Sequence, residues 1–86
     1  MAVSFFGSVQ KYTEGEKSFD AGEAPDIRAL ISRLGERFGD PFRDFLLGDG
    51  TCFFLVNGKS ILHTGGLNTP LQPGDKIEVL PFVDGG

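Results

Sequence analysis

The chain has 86 residues, 40% hydrophobic and 23% charged, the balance of an ordinary globular protein rather than a disordered or fibrous one. Eight Lys and Arg against twelve Asp and Glu leave a net charge of −4, which opposes counterion-release binding to phosphate backbones and argues against nucleic acid as a partner. One Cys, one His and no apolar run near the roughly 20 residues of a membrane span exclude a disulfide framework, a multi-cysteine zinc site and a transmembrane helix. The first residues lack the basic and apolar regions of a signal peptide, so a cytoplasmic location away from membranes is expected. A chain of this size buries only roughly 60 to 65% of its unfolded surface, and nine Phe with no Trp are the expected filling of a thin core.

Ala2 to Phe6 is β-branched and aromatic and reads as a first strand, broken at Gly7, with Val9 and Tyr12 continuing or bending it. Thr13-Glu14-Gly15-Glu16 is turn chemistry, and Lys17-Ser18-Phe19 reads as a short strand that pairs back on the first. The acidic excess lies here: Glu14, Glu16, Asp20, Glu23 and Asp26 stand against Lys17 alone. A solvated hairpin edge kept monomeric by charge is the plain reading; an acidic surface steering a basic partner is the sharper one.

Pro25 suits the first turn of a helix, Asp26 favours its positive end, and Ile27, Leu30, Ile31, Leu34 and Phe38 form one apolar stripe. The spacing predicts a helix over 25–38, despite Gly35, which costs about 1 kcal/mol relative to Ala inside a helix. Gly39-Asp40-Pro41 supplies the stop, and Phe42, Phe45 and Leu46 predict a short helical flap that ends at Gly48-Asp49-Gly50.

Cys52-Phe53-Phe54-Leu55-Val56 is a continuous apolar run, the signature of a strand covered on both faces or central in its sheet. Asn57-Gly58 then predicts a type I′ hairpin, with Lys59 to Leu62 as the returning strand. His63 to Pro70 reads as loop, Pro73-Gly74 fits the centre of a type II turn, and Ile77, Val79 and Leu80 belong to a last strand that nothing extends after Pro81. The result is an α+β domain, with one main helix packed on one face of a mixed sheet of four to five strands. Residues 1–81 form the domain and 82–86 a flexible tail.

No catalytic constellation stands out. Gly58-Lys59-Ser60 ends like a phosphate-binding loop, but that pattern needs a glycine where Phe53 stands and a helix where a strand follows. Cys52 lies in the most apolar stretch, where burial raises a thiol pKa and leaves a small hydrophobe rather than a nucleophile. His63, in a Thr-Gly-Gly loop, has no nucleophile placed beside it by any motif. The chain reads as a non-enzyme, with no metal site of its own.

The chemistry points to the C-terminus, Leu80-Pro81-Phe82-Val83-Asp84-Gly85-Gly86. Glycine has no Cβ, so a Gly-Gly end threads a narrow channel and presents a bare carboxylate to another protein's active site. A carboxylate is a poor acyl electrophile and needs activation, for which ATP can supply an acyl adenylate.

The order strand, hairpin, helix, Val56-Asn57-Gly58 hairpin, Pro73-Gly74-Asp75 turn, Lys76-Ile77-Glu78-Val79-Leu80-Pro81 strand and Gly-Gly end resembles the ubiquitin-like β-grasp sulfur carriers. The small subunit of molybdopterin synthase (MoaD-like) is the nearest likeness, and Val3-Ser4-Phe5-Phe6-Gly7 resembles its opening strand. The resemblance implies that Gly86 is adenylated and then thiocarboxylated, that Gly85 is its slender neighbour, and that Pro81, Phe82 and Val83 are an apolar stem gripped by partners. The implied partners are an E1-like adenylating enzyme that uses ATP, a sulfur donor, and the large subunit of molybdopterin synthase, with no cofactor bound by this chain. Thiazole, tRNA or cysteine biosynthesis, protein conjugation and a non-covalent β-grasp interaction module are the alternatives. The chain departs from the family at Phe82, where a second proline is common, and at Asp84, where a small residue is common. The length and the long Thr64 to Leu71 connection fit the molybdopterin branch better than the thiazole-forming carriers.

Overall fold

Val3 and Phe5, Phe54, and Ile77 and Val79 occupy alternate positions in three strands, and all are 3% exposed or less. A computed structural model, which describes residues 1–48 and 51–82, places them on one face of a five-stranded sheet. The strands are β1 (Ala2–Phe5), β2 (Ser18–Asp20), β3 (Cys52–Val56), β4 (Lys59–Ser60) and β5 (Lys76–Pro81), in the order β2-β1-β5-β3-β4. Only β1 and β5 run parallel; the other pairs are antiparallel, so the sheet is mixed as expected. The central strand is β5. Strand β3 is half-buried on its outer face, because only one face of the sheet carries helices.

Helix α1 (Ile27–Phe38) buries Ile27, Leu30, Ile31 and Leu34, the stripe read from the sequence. It starts two residues later than expected. The Pro25 carbonyl accepts the Leu71 amide at 2.9 Å, and the Thr69 carbonyl accepts the Ile27 amide at 3.2 Å, so Pro25 and Asp26 lie against the segment around Pro70. Asp26 is the N-cap, its carboxylate accepting the Ala29 amide at 2.8 Å and satisfying a free helical N–H. The expected flap is a second helix, α2 (Asp40–Leu47), with Phe42 and Leu46 buried; of its Gly48-Asp49-Gly50 stop, only Gly48 lies among the described residues.

Gly35 has its reason at the contact between these helices. A Cβ there would stand 2.9 Å from Cβ of Arg43, so the missing side chain lets α2 lie directly on α1. At that end of the core, Phe5, Phe38 and Phe42 meet edge to face with centroids 5.6 to 5.8 Å apart, the geometry that ring quadrupoles favour.

The hairpins follow their turn chemistry. Asn57 and Gly58 have φ of +51° and +85°, as a type I′ turn requires, and the Gln72 carbonyl accepts the Asp75 amide around Pro73-Gly74. Two strand ends differ from expectation. After Phe5 the chain enters a 3-10 helix (Gly7–Lys11) rather than continuing as strand, and Val9 turns into the core. The returning strand β4 spans two residues, because the Ser60 hydroxyl accepts the Leu62 amide at 3.2 Å and starts a 3-10 helix (Ile61–His63). A further 3-10 helix (Gly66–Asn68) occupies the expected loop. Finally, β5 ends at Pro81 as expected, and the Phe82 amide donates to the Thr51 carbonyl at 3.1 Å just beyond it.

Candidate functional site

The period-two alternation of β3 and β5 decides what the uncovered face presents. Phe53 lies opposite Leu80 and Leu55 opposite Glu78, all half-buried, while the partners Phe54 and Val79 point under the helices. Phe82 returns to the face of Leu80. Its ring stacks on that of Phe53 at 4.8 Å and 25°, and it stays 51% exposed. An apolar strip therefore runs along the open face to Phe82, the last described residue.

Of the residues expected at the site, Pro81 is half-buried opposite Cys52, and Phe82 forms the root just described. Phe82 packs on its own sheet with one ring face and leaves half its surface exposed. Val83, Asp84, Gly85 and Gly86 lie outside the described residues.

Two residues that the sequence reading passed over support this root. Phe53 supplies the ring on which Phe82 rests, and its position was legible from the alternation within Cys52–Val56. Thr51 accepts the Phe82 amide through its carbonyl, and its hydroxyl stands 2.5 Å from the Phe45 carbonyl and 2.9 Å from that of Gly48 at the end of α2. No local pattern marks Thr51, since the bonds that tie it to the root run to backbone groups of Phe45, Gly48 and Phe82.

Beside the root, Leu46, Leu47, Cys52, Leu62, Leu67 and Phe82 line a groove of about 220 Å3. It is apolar. Burial pushes the Cys52 thiol above its ordinary pKa, against a weak opposing contact with the Thr51 hydroxyl at 3.9 Å, so the thiolate a nucleophile needs is disfavoured. His63 is exposed on the outer side of its 3-10 helix. Among the described residues no three His, Cys, Asp or Glu come together as a metal site requires. No helix among them is long and apolar enough to cross a membrane. Glu14, Glu16, Asp20 and Glu23 are exposed, as a solvated edge requires, and Asp26 serves as the helix cap.

The sequence matches the ThiS family over residues 3–86. The chain belongs to that family. It is 32% identical over 92 aligned positions to the sulfur carrier protein CysO of Mycobacterium tuberculosis, spanning 100% of this chain and 98% of the relative. A chain of the BexX/CysO complex of Amycolatopsis orientalis superposes with a TM-score of 0.83 at 25% identity, covering 99% of this chain and 98% of that one. A chain of the complex of subunits 1 and 2 of molybdopterin-converting factor from Helicobacter pylori gives 0.64 at 34% identity, covering 99% and 96%. The domain is thus a ubiquitin-like β-grasp module of the sulfur-carrier class. Members of this class are carrier modules rather than catalysts, and the two complexes show relatives assembled with partner proteins.

Proposed function

We propose that this protein carries sulfur on its C-terminal Gly86. The observation that carries the reading is that the family match runs through Gly86, a few residues beyond the exposed apolar Phe82. An E1-like partner binds ATP, the Gly86 carboxylate attacks its α-phosphorus, and pyrophosphate leaves. Hydrosulfide or an equivalent donor then attacks the acyl carbon of the adenylate and AMP leaves, so that one carboxylate oxygen has been replaced by sulfur. Gly85 gives the end its slender cross-section, and Pro81, Phe82, Val83 and Asp84 form the stem that partners grip. The catalytic groups and the nucleotide belong to the partners, and this chain holds no cofactor.

The full-length likeness to CysO favours an acceptor in cysteine biosynthesis. The 34% identity to a chain of the molybdopterin-converting factor complex supports a second reading, in which the acceptor is the large subunit of molybdopterin synthase.

Intact mass after incubation with ATP, a sulfur source and an adenylating enzyme tests the carrier step, beside a chain lacking Gly86. The expected result is a gain equal to one oxygen replaced by sulfur in the full chain and none in the truncated one. No gain with an adenylating enzyme that loads its own carrier would overturn the proposal in favour of a non-covalent module. Offering the loaded carrier to each acceptor then separates cysteine biosynthesis from molybdopterin synthesis by where the sulfur goes.

A further inference from the structure

The end of α2, the start of β3 and the last rung of β5 meet at one residue. The Thr51 hydroxyl is shared between the Phe45 and Gly48 carbonyls of the α2 terminus, and its own carbonyl takes the Phe82 amide. The Phe53 ring lies under Phe82 at 4.8 Å. A stem with a single attachment would pivot about Pro81. Here a hydrogen bond to Thr51, just before β3, and a ring stack on Phe53 fix both the position of Phe82 and the plane of its ring.

We infer that Thr51, with Phe53, is a positioning residue of the carrier reaction, acting through Phe82 to set the direction from which the C-terminal segment enters a partner's active site. The inference rests on the carrier reading above. Its mechanism is entropic: a preset exit direction lowers the orientational freedom lost on insertion, so the carrier binds its activating enzyme more readily while the adenylation step on the partner is untouched. Releasing the clasp should therefore raise KM for the carrier and leave kcat in place.

The test uses the full chain as substrate of an adenylating enzyme, with ATP–pyrophosphate exchange for kinetics and hydrogen exchange of the Phe82 amide for the clasp itself. Thr51→Val keeps the shape and removes the hydroxyl, Thr51→Ser restores a hydroxyl, and Phe53→Leu removes the ring under Phe82. Thr51→Val and Phe53→Leu are expected to raise KM on the order of threefold to tenfold, with kcat within about twofold of the parent and Thr51→Ser near the parent. Protection of the Phe82 amide should be present in the parent and in Thr51→Ser and reduced in Thr51→Val. An unchanged KM in Thr51→Val and Phe53→Leu overturns the inference while leaving the carrier reading intact. So does a lowered unfolding temperature with KM unmoved, which would make Thr51 merely structural. A parent chain that supports no exchange, with its Phe82 amide protected, overturns the carrier reading and the positioning role with it.

Discussion

The two faces of the sheet are built from neighbouring residues of the same strands, yet they do different work. Beneath the helices, Phe5, Phe54, Ile77 and Val79 are almost completely buried, and Phe5 meets Phe38 and Phe42 edge to face. On the other side, Phe53, Leu55 and Leu80 are half-covered and lead to the exposed Phe82. Single-residue alternation thus separates the side chains that fold the domain from those that present its end. Substitutions on the two faces should separate in the same way.

The largest effect is expected under the helices. Phe42, fully buried and in ring contact with Phe5 and Phe38, should cost about 3 to 5 kcal/mol as Phe42→Ala. That approaches the whole stability of so small a domain, and urea unfolding would read it as loss of the cooperative transition. A loss below about 1 kcal/mol would mean that the helix-covered face is not the core. Phe53→Ala should cost less, about 1 kcal/mol, because the stack on Phe82 is half in water. A destabilisation equal to that of Phe42→Ala would erase the distinction between the faces.

Acid sharpens the comparison at one corner of the sheet. The Gln72 amide, and then the Asn57 side chain, hold the Asp75 carboxyl below its ordinary value of about 3.9. A lowered folded pKa contributes stability that is fully present above the unfolded value and is lost as the pH falls through the folded one. Melting temperature should therefore drop below roughly pH 4, and Asp75→Asn should flatten that slope; an identical acid slope in the variant would remove Asp75 from the account. The smallest effect belongs to Leu62, 75% exposed, where Leu62→Ser should change stability by no more than about 0.5 kcal/mol in the same unfolding assay.

What could be read in advance was whatever depends on neighbours in sequence. The α1 stripe, the Asn57-Gly58 hairpin and the Pro73-Gly74 turn each carry their cause within a few residues. The short β4 and the late start of α1 escaped because Ser60 competes for a backbone amide and because Pro25 is held by Leu71 from across the fold. Gly35 read only as a propensity cost, since its benefit is the approach of Arg43 on another helix. At the candidate site, Pro81 and Phe82 were legible from the chain's ending. Thr51 was not, because its carbonyl takes an amide from far along the chain and its hydroxyl bonds backbone carbonyls, which no side-chain pattern records.

The parallel pairing of β1 with β5 has a practical outcome for handling the protein. Parallel neighbours travel the same way, so the start of β1 lies at the far end of the sheet from Phe82, on the order of 20 Å away along the six residues of β5. A purification tag, fluorophore or surface tether attached ahead of Ala2 therefore sits at the opposite end of the sheet from Phe82. Under the proposed carrier reading, the same label placed behind Gly86 would block its carboxylate.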